Sequence, residues 1–185
     1  SHPSSLLLLL PQFMRGDTSS LPSERYVFEQ MGLTTRHLVR SEEELMREAE
    51  RRGGGCVPEG IWRHPHLSDK RVSVEVKRIS GNTLPVHNNP DGRRRILRRG
   101  KIVWPWQSTV QCAVGKASSF SVLQYRVDIH YAVFLIPDTM SEAEKGRTRR
   151  HIVGAAVEAV SSLQPGAAKI RVVVMEGPVF LFDRF

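Results

Sequence analysis

The chain has 185 residues, of which 27 are Lys or Arg and 19 are Asp or Glu, so its formal charge at neutral pH is +8. A hydrophobic content of 40% is enough for a folded core and excludes a wholly disordered chain. Two cysteines exclude a disulfide scaffold, and no apolar run approaches the roughly 18 residues that a membrane-spanning helix needs. The excess positive charge indicates an anionic partner.

Residues 1–60 are expected to form an extended arm that carries one short helix. The first part is rich in Ser and Pro and has no hydrophobic period. The Leu6–Leu10 run is either the remainder of a targeting segment or an apolar arm that packs on a neighbouring protein. Ser41 and Glu44 form a capping-box pattern and a glycine run follows, so we predict a helix over about 41–52.

Residues 61–185 are expected to form one domain built around a sheet. Alternating apolar and polar residues indicate strands, and Gly, Pro and Asn clusters mark turns between them. No element is assigned to the stretch from Trp104 to Phe120. The predicted strands are, in chain order, Val72–Lys77, Leu84–His87, Arg94–Val103, Tyr125–Ile136, Ile170–Met175 and Val179–Phe182.

The best helix signal follows a second capping box, Ser141-x-x-Glu144. An apolar stripe at helical spacing predicts that this helix lies against the sheet; its residues are Ile152, Val153, Ala156, Val157, Val160 and Leu163. The sequence therefore predicts an α+β fold, with an antiparallel or mixed sheet and one principal helix packed on it.

The positive charge is concentrated in the middle of the chain. Residues 61–116 contain 12 basic and 3 acidic side chains, a net of +9, whereas the flanking thirds nearly balance. Six cations fall within nine residues: Arg93, Arg94, Arg95, Arg98, Arg99 and Lys101. Clustered Arg side chains favour phosphate backbones, so we predict RNA contacts here and at Arg78. The alternative is a solvated basic sheet edge that resists aggregation.

Two further groups are candidates for the same interface. Trp104 and Trp106 follow the basic run and are candidates for base stacking, with packing in the core or on an arm as the alternative. Basic residues also cluster at the start of the long helix, where positive charge opposes the helix dipole. They either bind an anion or pair with acids of the same helix, Glu142 and Glu144; the cluster comprises Lys145, Arg147, Arg149, Arg150 and His151.

Catalytic signatures are absent from the sequence. There is no Gly-rich phosphate loop, no Gly-x-Ser-x-Gly elbow and no His-Glu-x-x-His motif. His64, His66 and Cys56 have poor spacing for zinc, which favours an ordinary loop over a metal site. We therefore expect no enzymatic activity, no metal, no cofactor and no small-molecule substrate.

One segment carries a family pattern: Val76-Lys77-Arg78-Ile79-Ser80-Gly81-Asn82-Thr83-Leu84-Pro85-Val86-His87. Together with Gly92 and the basic strand up to Val103, it resembles the mitochondrial large-ribosomal-subunit protein family numbered forty-nine. The end of the chain, 181–185, is also similar to that family's closing Leu-x-x-x-Gly-Phe. His87 stands where the family usually has Tyr, and residues 104–140 have no clear counterpart. This stretch is therefore either an insertion, or the similarity to the family ends at Val103.

The resemblance implies an α+β domain similar to the C-terminal domain of bacterial initiation factor three. It also implies a non-enzymatic structural constituent of the mitochondrial large ribosomal subunit, located in the matrix, with rRNA and neighbouring mitoribosomal proteins as partners. The arm before Ser41 would then run across those proteins. Two alternatives are an RNA-binding assembly or translation factor, and an accessory subunit of a mitochondrial membrane complex whose basic segment lies on anionic lipid.

Overall fold

The computed structural model describes residues 21–79, 96–98, 101–103, 105–120 and 125–179. Five strands form one mixed sheet in the order β1-β2-β3-β6-β7, and β4 pairs with β5 in a separate ribbon. The predicted α+β fold with a mixed sheet is confirmed, with four helices in place of one principal and one short helix. The elements are α1 Pro22–Gln30, a 3₁₀ turn Thr35–His37, β1 Leu38–Ser41, α2 Glu42–Arg51, β2 Gly60–Arg63, β3 Arg71–Arg78, β4 Ile96–Arg98, β5 Lys101–Val103, α3 Pro105–Ser119, β6 Ile129–Pro137, α4 Glu142–Val160 and β7 Lys169–Gly177.

The sheet combines two kinds of pairing. β1 pairs antiparallel with β2, and β2 pairs antiparallel with β3. β3, β6 and β7 are parallel to one another and are joined by crossovers that contain α3 and α4. β6 lies between β3 and β7 and is apolar at nearly every position, as is usual for a strand covered on both faces. The sequence prediction began this strand at Tyr125 and set His130 on a polar face; instead, β6 begins at Ile129 and His130 is fully buried.

Helices cover both faces of the sheet. α3 and α4 lie on one face, and α1 covers much of the other. The buried side chains of the first layer are Ile79, Trp106, Val110, Ala113, Val114, Ala132, Phe134, Ile136, Ile152, Ala155, Ala156 and Ala159. Those of the second are Val27, Phe28, Leu33, Trp62, Val72, Val74, Val76, Ile129, Val133 and Leu135.

The stretch 104–140 is not a peripheral insertion in this fold. It supplies α3, which packs in the core through Val110, Ala113 and Val114, and the strand β6, which lies between β3 and β7. Small and hydroxyl-bearing residues dilute the apolar pattern of α3, so no clear helix signal is visible in the sequence there.

Residues 21–60 fold together with residues 61–179 around one sheet. The predicted domain boundary at residue 60 is therefore wrong, and so is the predicted extended arm for residues 21–40. Pro22 occupies the first position of α1, and the Glu24 carboxylate accepts a hydrogen bond from the Leu21 N–H at 3.1 Å. The helix then buries Val27 and Phe28 against the sheet. The predicted 1–20 part of the arm, with the Leu6–Leu10 run, lies outside the described residues.

Both predicted helix starts are confirmed. The Ser41 hydroxyl accepts from the Glu44 N–H at 3.2 Å, and α2 ends at Arg51. At α4, Ser141 and Glu144 bond reciprocally at 3.3 Å each way.

The predicted apolar stripe of α4 is correct only in part. Ile152 and Ala156 are buried and Leu163 packs against them, but Val153, Val157 and Val160 are exposed by 51%, 67% and 37%. Ala155 and Ala159 are buried in their place, in the cluster that α4 forms with α3 and the sheet, because the two helices pack against each other.

The basic stretch 94–103, predicted as one strand, contains two. β4 and β5 are antiparallel, with Ile96 opposite Val103 and Arg98 opposite Lys101. β7 confirms the predicted strand 170–175. The predicted strands at 84–87 and 179–182 lie outside the described elements.

Candidate nucleic-acid interface

Two cations of the Arg-rich run, Arg98 and Lys101, lie in the β4–β5 ribbon, which is separate from the five-stranded sheet. Arg98 and Lys101 occupy directly opposite register positions in it. The other predicted contacts of this run, Arg93, Arg94, Arg95 and Arg99, lie outside the described residues, as does Trp104.

The basic group at the start of α4 divides into paired and unpaired cations. Lys145 lies 3.2 Å from Glu142 and 3.4 Å from Glu176, and Arg149 donates to Glu176. The hydrogen bond from Arg149 lowers the pKa of the Glu176 carboxyl, and the hydrogen bond to Glu142 raises the pKa of Lys145. Arg149 is therefore engaged within the protein. Pairing was expected with acids of α4 alone, and the sequence could not show that β7 supplies Glu176.

Arg147 and Arg150 form the unpaired half of this group. Both are exposed on α4, and neither has a carboxylate partner among the residues that the structure describes. These two side chains remain accessible to an anionic ligand.

Trp106 does not fit the predicted role in base stacking. It is only 5% exposed, and its ring lies 5.2 Å from the ring of His151, at an interplanar angle of 32°. Its Nε1 is buried without a hydrogen-bond partner in the described part of the chain. The indole is therefore part of the core between α3 and α4, the alternative that the sequence left open.

Arg78 is half-buried at the end of β3, where it lines a polar cleft of about 460 Å³. The cleft lies between the start of α1, the end of β3 and the first turns of α3. The other residues that line it are Leu21, Ser23, Glu24, Val76, Lys77, Ser108, Thr109 and Cys112.

A network of charged side chains lies where β3 packs against α3. Glu75 is 2% exposed and its Oε1 lies 2.6 Å from the Lys116 Nζ and 3.1 Å from the Lys77 Nζ. Burial alone would lower the pKa of Lys116, but the charge and hydrogen bond of Glu75 outweigh it and raise that pKa. Burial also raises the pKa of Glu59, and it raises the pKa of Glu24 to about 7. The negative charge of Glu75 raises both pKa values further. No sequence pattern indicated this network, because its residues are brought together only by the tertiary fold.

His64 and His130 form hydrogen bonds with other groups of the protein. The His64 Nδ1 accepts from the N–H groups of His66 and Leu67 at 3.0 Å each, and its Nε2 lies 3.3 Å from the Tyr131 hydroxyl. His130 bonds Ser73 at 2.8 Å and the Ala113 carbonyl at 2.9 Å, and burial lowers its pKa to about 4. The loop interpretation of His64 and His66 fits this geometry. Within the described ranges, no three potential metal ligands lie together.

The sheet presents a second group of cations that sequence reasoning missed. β3, β6 and β7 are parallel and so begin at one end of the sheet, and the antiparallel β2 ends there. We call this end the strand-start surface; its cations are Arg63, Lys70, Arg71, Arg126, Lys169 and Arg171. Because the six residues come from four separate segments, no local run in the sequence could reveal them.

Backbone hydrogen bonds hold the strand-start surface together. Asp128 accepts from the Arg71 N–H through its carboxylate and from the Lys169 N–H through its carbonyl, both at 2.9 Å. Its own N–H donates to the Arg71 carbonyl at 2.9 Å. A single residue therefore ties together the starts of β3, β6 and β7.

Comparisons with known proteins found no match: no family model matches the chain, and neither a curated protein nor a solved structure is significantly similar to it. In the parts of the chain that the structure describes, no helix is long and apolar enough to span a bilayer.

Proposed function

We propose that this chain is an RNA-binding protein without catalytic activity, and that it serves as a structural constituent of the mitochondrial large ribosomal subunit. The observation that carries the RNA-binding proposal is the density of cations around the β4–β5 ribbon: six fall within nine residues, and two of them, Arg98 and Lys101, lie at directly opposite register positions. Among the described strands, β4 and β5 pair with each other and with no strand of the five-stranded sheet. This favours RNA binding over protection of an edge of that sheet.

The ribosomal part of the proposal rests on the resemblance of residues 72–103 to the mitochondrial family numbered forty-nine. One feature of the structure supports that comparison. β3 ends at Arg78, where the family pattern has a strand ending in Val-x-Arg.

Sedimentation of the tagged protein from mitochondria tests the assignment. A structural constituent should co-migrate with large subunits after a high-salt wash. Release at moderate salt would contradict a structural role and favour an assembly or translation factor. Co-purification with a membrane complex that lacks rRNA would contradict RNA binding as well.

A variant of the ribbon tests the RNA contacts directly. Replacing Arg94, Arg95, Arg98 and Arg99 with Ser should flatten the dependence of log K on log salt by about 2.8 on single-stranded RNA and about 3.6 on duplex RNA if all four contact phosphates. The matched control replaces the same four residues with Lys, which keeps the charge and should keep most of the slope. An unchanged slope in the Ser variant would show that the run is only solvated.

A further inference from the structure

The strand-start surface has more positively charged side chains than carboxylates. Over the strand ends and the loops that lead into them, six cations face two acids, Asp69 and Asp128. Lys70 is the only one of the six with a carboxylate within reach among the described residues, and Asp69 lies 4.0 Å from it. The Asp128 carboxylate is already engaged by a backbone N–H of β3.

The register makes this arrangement costly for the isolated protein. Arg63, the last residue of β2, lies directly opposite Arg71, the first residue of β3. Directly opposed like charges destabilise an antiparallel pair, so an anion between them would relieve a real repulsion. Arg126 adds one more exposed positive charge, in the loop before β6; its φ of +54° is uncommon for a residue other than Gly.

We propose that the strand-start surface is a second RNA-binding surface, which holds the phosphate backbone independently of the β4–β5 ribbon. This inference rests on the proposed function, because it assigns a further contact to the same class of partner. From β2 to β7 the row of strand starts spans three interstrand spacings, or about 14 Å. Arg63 and Arg71 lie on the face that carries Ile61, and Lys169 and Arg171 lie on the face of Tyr131, so the surface presents cations on both sides of the sheet end.

The chemistry of the surface favours RNA over an anionic membrane. Four of its six cations are Arg, whose planar fork binds phosphate through two parallel hydrogen bonds. Membrane-surface binding usually buries an apolar helix face, whereas the loop 64–70 contributes one exposed large apolar side chain, Leu67, at 49% exposure. The surface is also rigid, because it consists of strand ends tied by Asp128, and a fixed row of charges suits a regular phosphate backbone.

The test compares two double variants of the full chain that lower the net charge equally. The first is Arg63→Gln with Arg171→Gln, at the strand-start surface. The control is Met46→Glu with Arg47→Gln, on the exposed face of α2. Binding to oligo(U) and to a short RNA duplex is measured over a range of salt, and thermal unfolding verifies that each variant is folded.

The expected result is that the first variant flattens the salt dependence of log K by about 1.4 on oligo(U) and about 1.8 on the duplex, while the control keeps the wild-type slope. If both double variants keep that slope while the Ser variant of the ribbon loses its own, this inference is overturned and the proposed function stands. An equal loss in the control would also overturn it, since the effect would then be one of net charge. Binding of the wild type to phosphatidylserine vesicles, without binding to either RNA, would overturn both proposals.

Discussion

Replacing Lys116 with Met should destabilise the protein strongly, because it removes the closest partner of a buried carboxylate. Glu75 is 2% exposed, its Oε1 lies 2.6 Å from the Lys116 Nζ, and its Oε2 has no partner in the described part of the chain. Loss of one member of a buried ion pair costs about 3–5 kcal/mol, since the remaining charge is left uncompensated. Lys77 lies 3.1 Å from the same oxygen and is 32% exposed, so it offsets part of the loss. We expect about 3 kcal/mol.

Urea unfolding measures this cost. For an m value of about 2 kcal/mol per molar, a loss of 3 kcal/mol lowers the midpoint by about 1.5 M. The double variant Glu75→Leu with Lys116→Met removes both charges and should lie within about 1 kcal/mol of the wild type, because apolar replacements of a whole buried pair are often neutral. Arg47→Gln is the surface control, since its pair with Glu43 is 3.6 Å long and mostly exposed, and it should change stability by less than about 0.5 kcal/mol.

Two results would refute the reasoning. If Lys116→Met matched the surface control, Glu75 would not depend on Lys116 for its burial. If the double variant were as unstable as the single one, the cost would come from lost packing rather than from an unpaired charge.

Three further predictions concern the core and the caps. Burial raises the pKa of Glu24 to about 7 from an ordinary value of 4.5, so the stability that its proton provides is complete below about pH 4.5 and is lost as the pH rises through about 7. Urea unfolding should therefore show that Glu24→Gln is more stable than the wild type at about pH 8, by about 1–2 kcal/mol after allowance for the partial exposure of this side chain. At about pH 4 the two proteins should have similar stability. A constant difference in stability at both pH values would contradict this prediction. Trp106→Ala should cost about 3–5 kcal/mol, whereas Trp106→Phe should leave RNA affinity unchanged, and a drop in affinity with a normal melting temperature would show that the indole contacts RNA. Ser141→Ala should cost about 1 kcal/mol through loss of the α4 cap, and Ser162→Ala, just after α4, serves as its matched control in thermal unfolding.

Local signals in the sequence predicted local structure well. The pairs Ser41 with Glu44 and Ser141 with Glu144 each start a helix because a hydroxyl three residues before a free N–H can cap it at once. The strand around Ile170 followed from its β-branched residues. The α+β class followed in turn, since one helix and several short strands can bury their apolar surfaces only in layers.

Features that depend on tertiary contacts could not be read in this way. Val153 and Val157 belong to the same helical stripe as Ile152, and only the packing of α3 beside α4 decides which of them is buried. The predicted site shows the same limit. The dense Arg run was visible as a run, but the opposition of Arg63 and Arg71 exists only in the register of β2 with β3. Trp106 could be assigned to the core only once α3 was known.

The position of the basic ribbon has a consequence for how the chain folds. β4 and β5 lie within the crossover that joins β3 to β6, and about 50 residues separate the end of β3 at Arg78 from the start of β6 at Ile129. The entropy of closing a flexible loop grows only with the logarithm of its length, so each doubling costs about 0.6 kcal/mol. Lengthening the crossover outside α3 therefore has a small entropic cost, whereas α3 itself packs in the core and is not a loop. The rate is affected more, because pairing Val72 with Ile129 must await closure of a long loop, whereas β6, α4 and β7 are contiguous. We expect β6, α4 and β7 to assemble first and β3 to join them last, so that the basic ribbon is fixed in place late in folding.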